Sequence, residues 1–129
     1  MYDNPQTGIY QFASKDFGAA AGVTTHTICG PAGKKGRLKD IAVAVTEATV
    51  FATNLGHVQV GISTDLDAYG RLNIATGTAA QTVFNSEDDT DAILDADIPA
   101  DSVVTVTLTE GTGAGLAGTG APMVVIDWY

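Results

Sequence analysis

The 129-residue chain is short of several things, and each shortage removes a class of protein. It has a single cysteine, Cys29, which rules out an internal disulfide and any multi-cysteine zinc site. Six basic residues stand against fifteen acidic ones, for a net charge of −9. Phosphate backbones attract the opposite sign, so the balance argues against general nucleic-acid binding. Aromatic residues make up only 7% of the chain, which leaves Tyr10 and Tyr69 as loose candidates for a sugar platform. No apolar run approaches the roughly 18 residues of a membrane-spanning helix. The opening Met1-Tyr2-Asp3-Asn4-Pro5-Gln6 has neither the basic nor the apolar region of a signal peptide. The expectation is a chain with no membrane and no nucleic-acid partner, made in a cytoplasm.

What is present points to strands. The chain is 45% hydrophobic, mostly Val, Ile and Ala, with many Thr, 15 Gly and little Lys or Glu. That balance favours strands and turns over helices, and the length suits one domain with its own core. The organising stretch is Arg37 to Ser63. Ile41, Val43 and Val45 alternate with Ala42, Ala44 and Thr46, and Val58, Val60 and Ile62 with Gln59, Gly61 and Ser63. A period of two puts alternate side chains on one face, so two or three consecutive strands are predicted, with Val50 and Phe51 between the two runs.

Taken in order, residues Met1 to Thr7 are polar and read as an arm outside the core, and residues 8–129 as one β-domain. Gly8 to Ser14 is a short strand in which Ile9 and Phe12 compete for the inner face. Val23 to Cys29 is a strand, and Cys29 reads as a small, buried or half-buried apolar residue. Thr64 to Arg71 reads as a polar connection before a strand at Leu72 to Ala75. Thr82 to Phe84 is another short strand, Asn85 to Asp91 an acidic loop, and Ala92 to Pro99 an irregular segment. Val103 to Thr109 alternates Val104, Val106 and Leu108 with Thr105, Thr107 and Thr109. Met123 to Tyr129 sets Val124, Ile126 and Trp128 against Met123, Val125 and Asp127. Strands separated by Gly, Pro, Asn and Asp turns, with no amphipathic helix, predict an all-β antiparallel sandwich or barrel, and about eight strands fit a jelly-roll-like sandwich.

Motifs that would carry chemistry fail on context. Gly113 to Gly118 matches G-x-G-x-x-G, but Thr119-Gly120-Ala121-Pro122 leads into a strand and not the helix that a dinucleotide needs. Gly33-Lys34 is followed by Lys35 where a P-loop has Ser or Thr. Asp65-x-Asp67-x-x-Gly70 overlaps a calcium loop, yet Tyr69 stands where a third ligand is needed and Thr76 where a bidentate glutamate is needed. His26 and His57 lie on strands far apart in sequence, and no serine sits in a nucleophile-elbow context. The expectation is no enzyme, no cofactor and no metal.

Charge is uneven, however. Lys34, Lys35, Arg37 and Lys39 are four of the six basic residues, and Glu87, Asp88 and Asp89 form the densest acidic run. The segment VGISTDLDAYGRL, after a core strand, and the ending VTVTLTEGTGAGLAGTGAPMVVIDWY resemble small structural proteins of tailed bacteriophages, in particular capsid decoration (cement) proteins. The resemblance implies a jelly-roll-like domain that stabilises the outside of the head as a homotrimer, with the major capsid protein and copies of itself as partners. It implies a virion location and no catalysis. On this reading Tyr2, Asp3, Asn4, Pro5 and Gln6, with Lys34 and Lys35, are the candidate capsid contacts. Arg37 and Lys39 facing Glu87, Asp88 and Asp89 are the candidate subunit contacts. The alternative is a carbohydrate- or receptor-binding module of a phage fibre or head appendage, which would need exposed aromatics in a groove.

Overall fold

The local pattern is plainest in the last strand, β10 (Ala117–Trp128). Gly118, Gly120, Pro122, Val124, Ile126 and Trp128 are buried, and every residue between them is half exposed. Such strict alternation holds one face against a core and turns the other outward. β10 runs antiparallel to β4 (Gly36–Val50), with Trp128 opposite Gly36 and Ala117 opposite Val50. Gly36 is required there, because a Cβ on it would lie 2.7 Å from the Trp128 ring. The indole is also held from its far side, where Trp128 Nε1–H donates to the Tyr10 hydroxyl at 2.8 Å.

The computed structural model describes residues 6–19 and 22–129. The other strands are β1 (Gln6–Gln11), β2 (Lys15–Asp16), β3 (Val23–Cys29), β5 (His57–Ile62), β6 (Asp65–Asn73), β7 (Thr82–Asn85), β8 (Asp97–Ile98) and β9 (Val103–Thr109). They form two antiparallel sheets. The first has the order β1-β10-β4-β7, with β2 added beside β10 and β8 beside β4; the second has the order β3-β9-β5-β6. Without the two-residue strands β2 and β8, the remaining eight, renumbered in sequence, are ordered 1-8-3-6 and 2-7-4-5. Each sheet therefore alternates strands from the two halves of the chain, as two Greek keys wound into a jelly roll do. The predicted all-β sandwich is present, with ten strands in place of about eight.

Between the sheets lie Ile41, Val43, Val124 and Ile126 from the first and Val58, Val60, Leu72, Val104, Val106 and Leu108 from the second, all buried. Each such side chain contributes about 1.5–3 kcal/mol by leaving water. Phe17, Phe51 and Ile98 are buried with them. Several boundaries differ from the sequence reading. β4 is one strand through Val50, and a register shift against β10 between Thr119 and Gly120 turns Glu47 outward. The stretch expected as a polar connection is strand β6, paired with β5 from Asn73 back to Asp65. Gln6 and Thr7, assigned to the arm, pair with Trp128 and Asp127 in β1. Tyr10 of β1 and Phe12 just beyond it pack on the core, whereas Ile9 is 61% exposed. Cys29 is exposed, at the outer-facing end of β3, and not buried.

The threonines divide into two kinds. Thr49 is buried and fully used: its hydroxyl donates to the Ala75 carbonyl at 2.7 Å and accepts the Thr78 N–H at 3.0 Å. Thr105 and Thr107, on the face of β9 opposite Val104, Val106 and Leu108, are buried, and neither hydroxyl has a hydrogen-bond partner among the described residues. A buried hydroxyl without a partner costs about 1–3 kcal/mol of desolvation. Thr107→Val, which keeps the shape and drops the hydroxyl, should therefore raise stability by about 1 kcal/mol. Thr49→Val should lower it by about 1–3 kcal/mol, since it strands the Thr78 N–H. Urea unfolding midpoints of the two variants check this pair, whose signs must be opposite.

Candidate functional site

The outer side of the first sheet is unusual for an acidic protein. Side chains opposite one another across antiparallel strands share a face. The register therefore sets Ile9 beside Val125, Met123 beside Ala42, and Ala121 beside Ala44, which in turn neighbours Val83. The apolar face centres on β10 and the facing part of β4, reaches Ile9 on β1 and Val83 on β7, and is bordered by Gln11, Asp40 and Asn85 opposite Met123, Val125 and Ala42. Ile9 and Val83 are 61% and 55% exposed. A shallow groove of about 370 Å³ runs over the middle, lined by Gln11, Phe12, Ala42, Ala44, Val83, Ala121, Pro122 and Met123. Small side chains on β4 and β10 make the floor, and larger ones stand at the edges. Contiguous apolar surface of this kind marks sites of association.

A charged row closes one end of this face. Thr7 Oγ1 donates to Asp127 Oδ1 at 2.7 Å, Lys39 Nζ lies 4.0 Å from Asp127 Oδ2, and Arg37 lies 3.7 Å from Asp97. The expected subunit contacts are thus engaged within the chain, through exposed pairs worth about 0–1 kcal/mol each. Lys35 is joined to Tyr129 by two backbone hydrogen bonds of 2.9 Å, which places the basic turn beside the end of β10. Lys34 N–H bonds the Pro31 carbonyl, closing that turn. Tyr2, Asp3, Asn4 and Pro5 lie outside the described residues.

The acidic run does local work. Asp88 Oδ2 accepts the Asn85 N–H and Asp89 Oδ2 the Asn73 N–H, each at 3.0 Å, and Glu87 N–H donates to Asn85 Oδ1. Asp65 and Asp67 stand on β6 and not in a loop. Among the described residues no group of three His, Cys, Asp or Glu is placed to hold a metal ion.

The two histidines are kept apart. His26 pairs with Val106 on the inner side of β9, and its ring stacks on Phe12 with centroids 4.7 Å apart. His57 pairs with Thr109, on the outer side. Ser14, His26 and Glu110 border one shallow cavity of about 260 Å³. Among the described residues no hydrogen bond joins Ser14 to His26, and the Glu110 carboxylate is committed elsewhere. Its Oε1 accepts from Lys15 Nζ at 2.9 Å and its Oε2 from the Gly22 N–H at 2.6 Å.

No protein-family model matches this chain, and no curated protein matches it either. The apolar face went unread in the sequence because its members come from β1, β4, β7 and β10, each alternating normally. The signal was the weakness of contrast in Ala42, Ala44, Ala121, Met123 and Val125, apolar residues at positions where a strand facing water carries polar ones.

Glu110 gives a checkable pH dependence. The hydrogen bond from Lys15 is the main influence that holds its carboxyl below the ordinary range; burial opposes it, and the Gly22 N–H and the Lys15 charge assist. A carboxyl lowered in the folded state stabilises fully above its unfolded value, and that contribution fades as the pH falls through the folded one. Glu110→Gln should therefore be less stable than the parent at neutral pH. The gap should close in acid below the usual carboxylate range, as read by thermal melts across the pH series.

Proposed function

We propose that this protein is a structural component of a tailed-phage virion that decorates and stabilises the outer surface of the capsid, without catalytic chemistry. The apolar outer face of the β1-β10-β4-β7 sheet carries the proposal. A soluble domain with a net charge of −9 has little reason to hold Ile9, Val125, Met123, Ala121, Ala44 and Val83 toward water unless a partner covers them. The resemblance of the VGISTDLDAYGRL segment and of the C-terminal stretch to capsid decoration proteins supplies the partner, the major capsid protein. The jelly-roll topology agrees with it. Binding to a lattice needs no reacting groups, only a repeated surface and a free form that stays soluble, and many weak contacts add through multivalency.

The same reading proposes a homotrimer. Exposed pairs such as Arg37–Asp97 and Lys39–Asp127 exchange partners at little cost, so a neighbouring copy's Glu87–Asp89 run is an electrostatically suitable alternative. Lys34 and Lys35 serve to steer the approach to an acidic shell, with an effect that weakens as salt rises.

The test is saturable binding of the purified protein to expanded capsids that lack it. Val83→Asp places a charge where binding would desolvate it and should weaken binding by about 30-fold, or about 2 kcal/mol. Val83 is exposed, so the melt should be unchanged. Deleting residues 1–5 stops short of β1 and should also leave the fold intact, while reducing affinity. Parent protein that does not bind the shell overturns the proposal. Full affinity in Val83→Asp removes the sheet face as the contact.

A further inference from the structure

On the other side of the sandwich a polar cleft of about 370 Å³ opens where β5, β6 and β9 end beside the 53–55 loop. The chain segments that build it are remote in sequence. The β6 end brings Arg71 and Asn73, the β5 start brings His57, and a bridge between Asn54 and Thr112 closes the rim. These groups hold each other rigid while using only part of their bonding capacity. Arg71 Nε–H donates to Asn73 Oδ1 at 3.0 Å, which fixes the guanidinium plane. Its two terminal NH₂ groups have no hydrogen-bond or ion-pair partner among the described residues. Asn73 keeps its NH₂ to donate. Asn54 Nδ2 donates to Thr112 Oγ1 at 2.9 Å, leaving the Asn54 amide oxygen to accept and the Thr112 O–H to donate. His57 Nδ1 lies 3.2 Å from the Leu55 carbonyl, an acceptor only, so Nδ1 carries the proton.

The charge here is what gives the cleft a specificity. In a protein with nine surplus negative charges, Lys15, Arg37 and Lys39 all sit within ion-pair distance of a carboxylate. Arg71 does not. Glu110 shares the cleft, but Lys15 at 2.9 Å already neutralises it. A planar guanidinium with both ends open matches a carboxylate in two parallel hydrogen bonds. The surrounding amides and hydroxyls suit a ring of hydroxyl groups, and the volume suits one sugar unit. We infer that this cleft binds a carboxylate-bearing sugar, a uronic acid residue of an acidic glycan, with Arg71 taking the carboxylate and Asn54, Asn73 and Thr112 taking hydroxyls.

This inference does not rest on the capsid proposal, and the two surfaces are compatible, since the cleft and the apolar face lie on opposite sides of the sandwich. Burial is the main influence lowering the His57 pKa; the Leu55 carbonyl opposes it and the Arg71 charge adds to it. The shift favours the neutral ring and leaves Arg71 as the cationic anchor.

The experiment is an amide-resolved NMR titration of the full chain with sodium glucuronate, and with glucose and sodium acetate as separate arms at matched ionic strength. The expected result is saturable shifts at Arg71, Asn73, Asn54 and Thr112 with glucuronate. Affinity for glucose and for acetate should each be at least about 10-fold lower, and Arg71→Gln should lose the glucuronate response at an otherwise unchanged spectrum. Arg71→Lys, which keeps the charge but not the fork, should retain only part of it. The parent ligand panel decides the matter even where a variant misfolds. No saturation by roughly 50 mM glucuronate overturns the inference. So do equal responses to acetate, which would mean a simple anion site, or equal responses to glucose, which would mean that Arg71 reads no carboxylate.

Discussion

Along the β4–β10 ladder, the register that buries Val124, Ile126 and Trp128 also keeps Asp127 out of the core. A slip of one residue would exchange these two sets and drive a carboxylate between the sheets, at a cost of several kcal/mol. The register is pinned at one end by shape: Trp128 lies over Gly36, and its ring leaves no room for a side chain at that position. It is pinned outside by Asp127, which meets Thr7 on β1 and Lys39 on β4. With β10 fixed, β1 follows on one side and β7 on the other, and the first sheet is built. The second sheet then packs by the same alternation around β9.

The strands with sharp polar–apolar contrast could be read directly. β9 stands where Val103 to Thr109 placed it, and the second half of β10 where Met123 to Tyr129 did, ending one residue sooner at Trp128. β6 was hidden because Asp65, Asp67 and Arg71 give it the composition of a loop, while the residues that hold it as a strand lie on β5. β1 was left open between two faces, with Ile9 and Phe12 competing for the core; the face of Tyr10 and Phe12 wins, helped by the Tyr10 contact with Trp128, more than a hundred residues away. The burial of Thr105 and Thr107 could not be foreseen from alternation, which assigns a face but not what covers it.

The surfaces were less legible than the fold, for a related reason. A motif shows in a sequence when its members share a loop or one turn of helix. Here the apolar face draws single residues from four strands, and the polar cleft draws Asn54, His57, Arg71, Asn73 and Thr112 from separate segments. Jelly-roll topology interleaves distant segments in each sheet, so its surfaces are assembled by strand order and not by spacing. The clustered charges that did stand out, Lys34 to Lys39 and Glu87 to Asp89, turn out to close turns and short pairs within the chain as well as facing solvent.

The proposed role gives the two sides of the sandwich different work, one apolar face toward a shell and one polar, cleft-bearing face away from it. An image reconstruction of expanded capsids carrying the protein tests that orientation most directly. The account predicts density for the domain on the outer surface, with the β1-β10-β4-β7 sheet against the capsid subunits and the Arg71 cleft open to solvent. Density with the β3-β9-β5-β6 sheet packed on the shell, or a shell left bare at saturating protein, would contradict it.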